Sequence, residues 1–255
     1  MNFIVCGATD IGIRKNTNQD SYRVKVMTLN GERVVFAVLC DGMGGLAKGE
    51  LASASVVNAF NTWAETKLPM IDIHGMADSK IREDWVGIIT EFNEKIKSYA
   101  RAGGINMGTT VVAMLLTESR YYIVNVGDSR AYEIADDIRV LTKDQTVVAR
   151  EVELGRLTPE QAENDPRRSV LLQCVGASET VYPDMFFGKT RLNAVYMLCS
   201  DGFRHKITPQ EIHSALHPNV MLNADGMTEN VTRLIRTNMD RQETDNISAV
   251  CIRTF

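Results

Sequence analysis

Hydrophobic and polar positions divide this chain into segments of two periods. From Val34 to Cys40 seven apolar residues, V-V-F-A-V-L-C, run without a break and end in Asp41. A Val-rich run of that length, flanked by turn residues, predicts a strand buried on both faces. Two strands are predicted before it. One covers residues 3–8; the other covers 20–29, where Tyr22, Val24 and Val26 alternate with Arg23 and Lys25. Asn30-Gly31 reads as a hairpin turn into the central run. Helical spacing follows over 50–68, with Leu51, Ala54, Val57, Ala59, Phe60 and Trp63 on one wide stripe, until Pro69 stops it. Residues 70–80 are less regular. A second amphipathic helix is expected over 81–99 through Ile81, Trp85, Ile88, Ile89, Phe92 and Ile96, with Gly103-Gly104 beyond it.

Residues 109–116, 121–126, 130–134 and 138–141 form a dense strand block joined by short turns, which predicts an antiparallel meander. Short helices are expected over 145–154 and 158–164, the latter with Pro159 in its first turn. Strand patterns return at 170–175, 181–188 and 194–199. Helical segments at 209–216 and 228–238 precede a closing strand at 247–252. Strands in consecutive runs with helices in pairs between and after them indicate an α+β fold, two antiparallel β-sheets covered by helices on their outer faces. No repeat, low-complexity stretch or linker interrupts the pattern, so residues 1–255 are expected to form a single domain.

Composition narrows the function classes. With 44% hydrophobic and 24% charged residues and a formal net charge of −4, the chain has the make-up of a soluble globular protein. It lacks the basic excess of a nucleic-acid or anionic-membrane binder. The apolar patch at 3–8 has no basic lead-in and is followed by Asp10, unlike a secretion signal. No apolar run reaches the ~20 residues of a membrane helix. Cys6, Cys40, Cys174, Cys199 and Cys251 lie in or beside apolar segments with no C-x-x-C pair, and are expected to be reduced core residues of a cytoplasmic protein.

The candidate chemistry is acidic. Three apolar strands end in an acidic turn: V-V-F-A-V-L-C before Asp41-Gly42, Y-Y-I-V-N-V-G before Asp128-Ser129-Arg130, and A-V-Y-M-L-C-S before Asp201-Gly202. Asp245 precedes the last strand and Asp20 opens the second. Each aspartate alone reads as a turn residue. Repeated at strand ends, they can converge on one edge of a sandwich, where crowded carboxylates require a cation. An all-oxygen donor set selects a hard ion such as Mg²⁺ or Mn²⁺.

Taken together, Asp41-Gly42-Met43-Gly44-Gly45, Gly108-Thr109-Thr110, Gly127-Asp128-Ser129-Arg130, Ser200-Asp201-Gly202 and Asp245-Asn246, preceded by Asn18-Gln19-Asp20, resemble the motif series of the PP2C (PPM) family of metal-dependent serine/threonine protein phosphatases, bacterial type. The resemblance extends from about residue 3 to 253. It implies a four-layer αββα sandwich, two antiparallel β-sheets flanked by paired helices, with two Mg²⁺ or Mn²⁺ ions at one end. It further implies that Asp41 bridges both ions, that the Gly42 carbonyl binds one, and that Asp201 and Asp245 complete the other. Asp20 would act through a water or a ligand, and Asp128 would belong to a third, weaker ion. The implied reaction is one-step hydrolysis of phosphoserine or phosphothreonine by a metal-activated water, with no covalent intermediate. Phosphoproteins, a serine/threonine kinase and its targets are the implied partners, and no nucleic acid or membrane. A monomer is expected.

The chain departs from the family pattern at several positions. Gln19 stands where many members have Glu. Met43 stands where many eukaryotic members have a His that protonates the leaving group. His205 stands where an Asp often helps Asp128 hold the third ion, which puts that ion in doubt. A substrate-phosphate Arg is replaced by Lys15, with Arg14 beside it. Position favours Lys15, while bidentate geometry favours Arg14. The segment 145–175 is expected to be the variable flap beside the site, with Arg167 and Arg168 in it. Cys199 and Arg204 come near the spacing of a cysteine phosphate loop, but Asp201-Gly202 lies between them and explains the stretch better. His74 and His213 have no evident partner. Two other readings remain: a catalytically silent PP2C-like binding or sensing module, which the three retained aspartates disfavour, and a different two-metal enzyme such as a nuclease, which the lack of a basic groove disfavours.

Overall fold

The computed structural model describes residues 1–43, 48–72 and 78–255. Eleven strands are present among them: β1 Phe3–Asp10, β2 Asp20–Leu29, β3 Glu32–Met43, β4 Gly108–Thr109, β5 Val111–Leu116, β6 Arg120–Val126, β7 Arg130–Ile134, β8 Ile138–Val140, β9 Asp184–Lys189, β10 Val195–Cys199 and β11 Ile247–Thr254. The helices are α1 Gly49–Thr66, α2 Asp78–Gly103, α3 Val147–Glu153, α4 Pro159–Glu163, α5 Asp201–Arg204, α6 Pro209–Leu216 and α7 Ala224–Asp240, with a 3₁₀ turn at Leu68–Met70. One sheet has the order β1-β11-β10-β7-β8. The other has β2-β3-β5-β6-β9, with β4 paired to β3. All pairings are antiparallel.

The central apolar run explains the layering. In β3, Val34, Phe36, Val38 and Cys40 face the cluster shared with α1 and α2. Val35, Ala37 and Leu39 face the core between the sheets. A strand whose neighbours alternate between a helix layer and a second sheet has no polar face to show, hence the unbroken run. On the far side, Val195, Met197 and Cys199 of β10 and Ala249 and Cys251 of β11 pack under α6 and α7. The order is therefore helices, sheet, sheet, helices, as the resemblance implied.

Several expected elements are drawn differently. The four-strand meander is split: β5 and β6 belong to one sheet, β7 and β8 to the other. The chain changes sheets across residues 127–129, and Gln145 fixes the crossing by accepting from Gly127 N–H at 2.8 Å and donating its own N–H to the Gly127 carbonyl at 3.0 Å. A short link looks the same in sequence whether it turns within a sheet or crosses between two. Residues 170–175 are not a strand. Leu171 and Val175 each make a single bridge, to Thr146 and Thr109, and Val170 and Leu172 are exposed. Strand β9 begins at Asp184 rather than at 181. Helix α7 begins earlier than 228, because Asn223 caps it by accepting from Gly226 N–H at 2.8 Å. The short α5 was not foreseen. His74, Gly44 and Gly45 lie outside the described residues. No helix among those described is long and apolar enough to cross a membrane.

Under α1 and α2 an aromatic cluster closes the outer core. Trp85 is fully buried, with ring centroids of Trp63, Phe60 and Phe36 at 5.4, 6.0 and 6.2 Å. Replacing it leaves a cavity that backbone on either side cannot fill. Trp85→Ala is expected to lower the unfolding free energy by about 3–5 kcal/mol, read from the urea midpoint at unchanged slope.

Candidate active site

Five aspartates meet at one open end of the sandwich, delivered by both sheets. Asp20 and Asp41 are register partners at the ends of β2 and β3. Asp128 sits in the crossing between β6 and β7, Asp201 is the first residue of α5 directly after β10, and Asp245 stands two residues before β11. Their charges act on one another. Burial first, and then the fields of Asp20, Asp201, Asp128 and Asp245, push the Asp41 carboxyl well above the usual carboxylate range. Burial likewise raises Asp20 to about 7, even though hydrogen bonds from Ser248 and Ser200 oppose it. Asp128 is raised to about 7 by burial and Asp201, against the opposing charge of Arg204.

Backbone and hydroxyl contacts hold these acids in place. Asp41 N–H donates to Thr110 Oγ1 at 3.0 Å, and its carbonyl accepts from Thr110 N–H and Thr109 Oγ1, each at 2.9 Å. Thr110 Oγ1 also meets Ser129 Oγ at 2.7 Å, tying Asp41 to the segment that carries Asp128. Ser200 Oγ donates to Asp20 Oδ2 at 2.9 Å and accepts from Ser248 N–H at 3.0 Å, which joins the two sheets at the site. Gly42 is wedged between backbones: a Cβ there would lie 2.3 Å from the Gly49 carbonyl oxygen and 2.5 Å from that of Gln19. Gly202 is similarly closed, with the Asn246 carbonyl oxygen 2.2 Å from a would-be Cβ and the Asp245 Cβ at 3.5 Å. Only glycine permits the Asp201 and Asp245 turns to approach so closely.

Asn246 organises the loop over the site. Its Oδ1 accepts from Gln19 N–H at 2.9 Å, and its Nδ2 donates to the carbonyls of Ile11 at 2.8 Å and Thr17 at 3.2 Å. The loop so held presents Lys15, whose Nζ lies 2.8 Å from Asp245 Oδ1. Burial works to lower the Lys15 ammonium, but the Asp245 hydrogen bond and the charges of Asp245, Asp41 and Asp201 outweigh it and raise its pKa. Arg14 is exposed and makes no hydrogen bond or ion pair among the described residues. Of the two candidate cations, the structure brings Lys15 to the aspartates and leaves Arg14 outside.

On the opposite flank lies a charge network that brings in Asp144 and Glu243, which carry no signal in the sequence. Arg204 Nη2 donates to the Asp128 carbonyl at 2.9 Å and stands 3.6 Å from Asp128 Oδ2 and 3.4 Å from Asp144 Oδ2. Arg130 grips Asp144 through two hydrogen bonds of 2.7 and 2.8 Å. His205 lies between Asp201 Oδ2 and Glu243 Oε2, each 3.4 Å from a ring nitrogen. The signal for Arg204 was its place one helical turn after Asp201, visible only once α5 is known to be a helix. His213 rests its Nε2 3.0 Å from the Ala135 carbonyl oxygen, far from this end. Cys199 is fully buried, and burial pushes its thiol up to about 12, which leaves no thiolate for a phosphate loop.

The donor set suits a hard cation. Asp201 Oδ1 and Asp20 Oδ1 are buried without a hydrogen-bond partner, and the acids around them repel one another. Among the described residues no three His, Cys, Asp or Glu side chains already close on one point. Asp245 turns to Lys15 instead.

A family model described as protein phosphatase 2C matches residues 12–246. The chain belongs to that family. It is 32% identical over 213 residues to the serine/threonine phosphatase stp of Listeria innocua, covering 82% of this chain and 81% of that protein. It is also 32% identical over 244 residues to the serine/threonine protein phosphatase PstP of Mycobacterium tuberculosis, covering 95% of this chain but only 43% of that larger protein. Among solved structures, the serine/threonine phosphatase of S. agalactiae superposes with a TM-score of 0.86 at 26% identity, covering all of both chains. The PstP catalytic domain in complex with two manganese ions superposes at 0.76 with 26% identity, covering 99% of each.

The clustering of acids carries a stability consequence. Asp41→Asn replaces a carboxylate pressed by four others with an amide of the same shape. It is expected to stabilise EDTA-treated protein by about 1–2 kcal/mol, seen as a melting temperature higher by a few degrees.

Proposed function

We infer that the chain is a metal-dependent serine/threonine protein phosphatase, hydrolysing phosphoserine and phosphothreonine in proteins without a covalent intermediate. The observation that carries this reading is that Asp201 and Asp245 lie within electrostatic reach of Asp41, beside the closely packed Gly42 backbone, in a chain of the protein phosphatase 2C family. Asp41 would serve both of two ions, with the Gly42 carbonyl on one and Asp201 and Asp245 on the other. Asp20, fixed by Ser200, would act through water. Ions of the Mg²⁺ or Mn²⁺ kind, when bound, supply Lewis acidity that makes water nucleophilic near neutral pH and offsets charge on the phosphoryl group. The two manganese ions of the PstP domain support that choice.

The remaining roles fall to this chain's own groups. Lys15, whose ammonium rests on Asp245 in this structure, would hold a substrate phosphate oxygen if Asp245 were taken up by a divalent ion. Met43 at the end of β3 has no proton to give, so solvent must protonate the departing serine or threonine oxygen. Residues 145–175, tied at one end to β4 through Thr109 and Val175, would form a flap over which the protein substrate lies. A serine/threonine kinase supplying the phosphoprotein, a cytoplasmic setting consistent with five unpaired cysteines, and a monomeric state complete the reading.

The test is phosphate release from a phosphothreonine peptide with Mn²⁺ or with EDTA. Release is expected only with metal, and Asp41→Asn or Asp201→Asn should reduce kcat by at least about 100-fold. Absence of release from wild type with Mn²⁺ would favour the silent module, and release unaffected by EDTA would discard the metal mechanism. Steady-state comparison separates the two cations: Lys15→Ala should lower kcat/KM by about 10- to 100-fold, the worth of a charged hydrogen bond, while Arg14→Ala stays within about twofold.

A further inference from the structure

We propose that Arg204 is a built-in cation of the active site, occupying the place beside Asp128 that a third divalent ion would need, so that the chain binds two ions and not three. The inference rests on the two-ion reading above. Arg204 ends α5, three residues after Asp201, and its side chain is 14% exposed. Its Nη2 reaches both the carbonyl and the carboxylate of Asp128 and also Asp144. Asp144 is itself gripped by Arg130. Two acids and two guanidinium groups make this group neutral in formal charge, so Asp128 already has a cation of the protein set against it.

A divalent ion at Asp128 would lie against a fixed positive charge in a partly dehydrated site, where like charges interact far more strongly than in water. The neighbouring carboxylate of Asp144 is already engaged by Arg130 and Arg204. Residue 205 is His, and its ring is taken up between Asp201 and Glu243. An imidazole engaged with two acids is a poor donor to a hard ion. The residues present do not fit a third ion. Arg204 does what such an ion could do for Asp128, but as a charge that cannot dissociate or be deprotonated. It is a positioning residue, holding the crossing at 127–129 at a set distance from Asp201.

The experiment is Mn²⁺ stoichiometry on EDTA-stripped full chain, with free Mn²⁺ followed by electron paramagnetic resonance. Wild type should bind two ions. Arg204→Ala should gain a third, weaker one that disappears in the double variant with Asp128→Asn, whereas Arg204→Lys, which keeps the charge, should remain at two. Thermal melts establish that each variant is folded; if Arg204→Ala is not, Arg204→Gln takes its place. Three ions on wild type, one of them lost in Asp128→Asn, would overturn the role of Arg204 while leaving the phosphatase reading intact. Folded Arg204→Ala and Arg204→Gln proteins that still bind only two would also overturn it. Wild type that binds no Mn²⁺ would remove the two-ion reading itself, and the inference with it.

Discussion

Mutual repulsion among five carboxylates at one end of the sandwich is the constraint to which the rest of the molecule answers. Burial, and then the fields of neighbouring acids, raise the affinity of Asp20, Asp41 and Asp128 for protons, so a chain that brings them together gives up stability that must be recovered elsewhere. It is recovered in three stacked cores, two under helices and one between the sheets. Within a few ångströms of the acids, rigid contacts do the holding: Thr110 on the Asp41 backbone, Ser200 between Asp20 and Ser248, and Asn246 across the loop that carries Lys15. A site whose function needs concentrated negative charge cannot rest on flexible side chains, because repulsion would spread it open.

The division of these acids between two sheets has a consequence for how the site is tuned. Asp20 and Asp41 belong to one sheet, Asp201 and Asp245 to the other, and Asp128 to the segment that crosses between them. Their separation is therefore set by inter-sheet packing, through residues such as Leu39, Met114, Tyr196 and Val250. Close-packed interiors transmit changes of even one methylene, so the inter-sheet core helps to set the spacing of the acids. The flanks are asymmetric. On one side a partly exposed lysine can leave its aspartate; on the other a buried arginine network cannot.

The sequence by itself determined much of this. The unbroken run at 34–40 required a strand covered on both faces, and the helical stripes at 50–68 and 81–99 supplied one of the covers. Three strand-then-Asp turns pointed to a hard-ion site, because each such turn is ordinary alone and costly in company. What it could not give were distances and partners between distant segments. The link at 127–129 reads as another short turn of a meander, since nothing local distinguishes a turn within a sheet from a step to the next one. The apolar residues of 170–175 read as a strand, but Leu171 and Val175 find only single bridges, to Thr146 and Thr109, and no ladder forms.

Partnership among charges was decided only by the tertiary structure. Lys15 and Arg14 are adjacent and equally basic in sequence, and only the loop anchored by Asn246 selects Lys15 for the acids. Arg204 seemed notable only for its spacing from Cys199. Folding of residues 201–204 as a turn of helix, against the 127–129 crossing, sets it on Asp128. Local pattern fixes which residues must be buried and which strands end in acids, because periodicity is a property of neighbours along the chain. Which charge meets which acid depends on where two sheets lie against each other, and that is settled by the packed core rather than by any stretch of sequence.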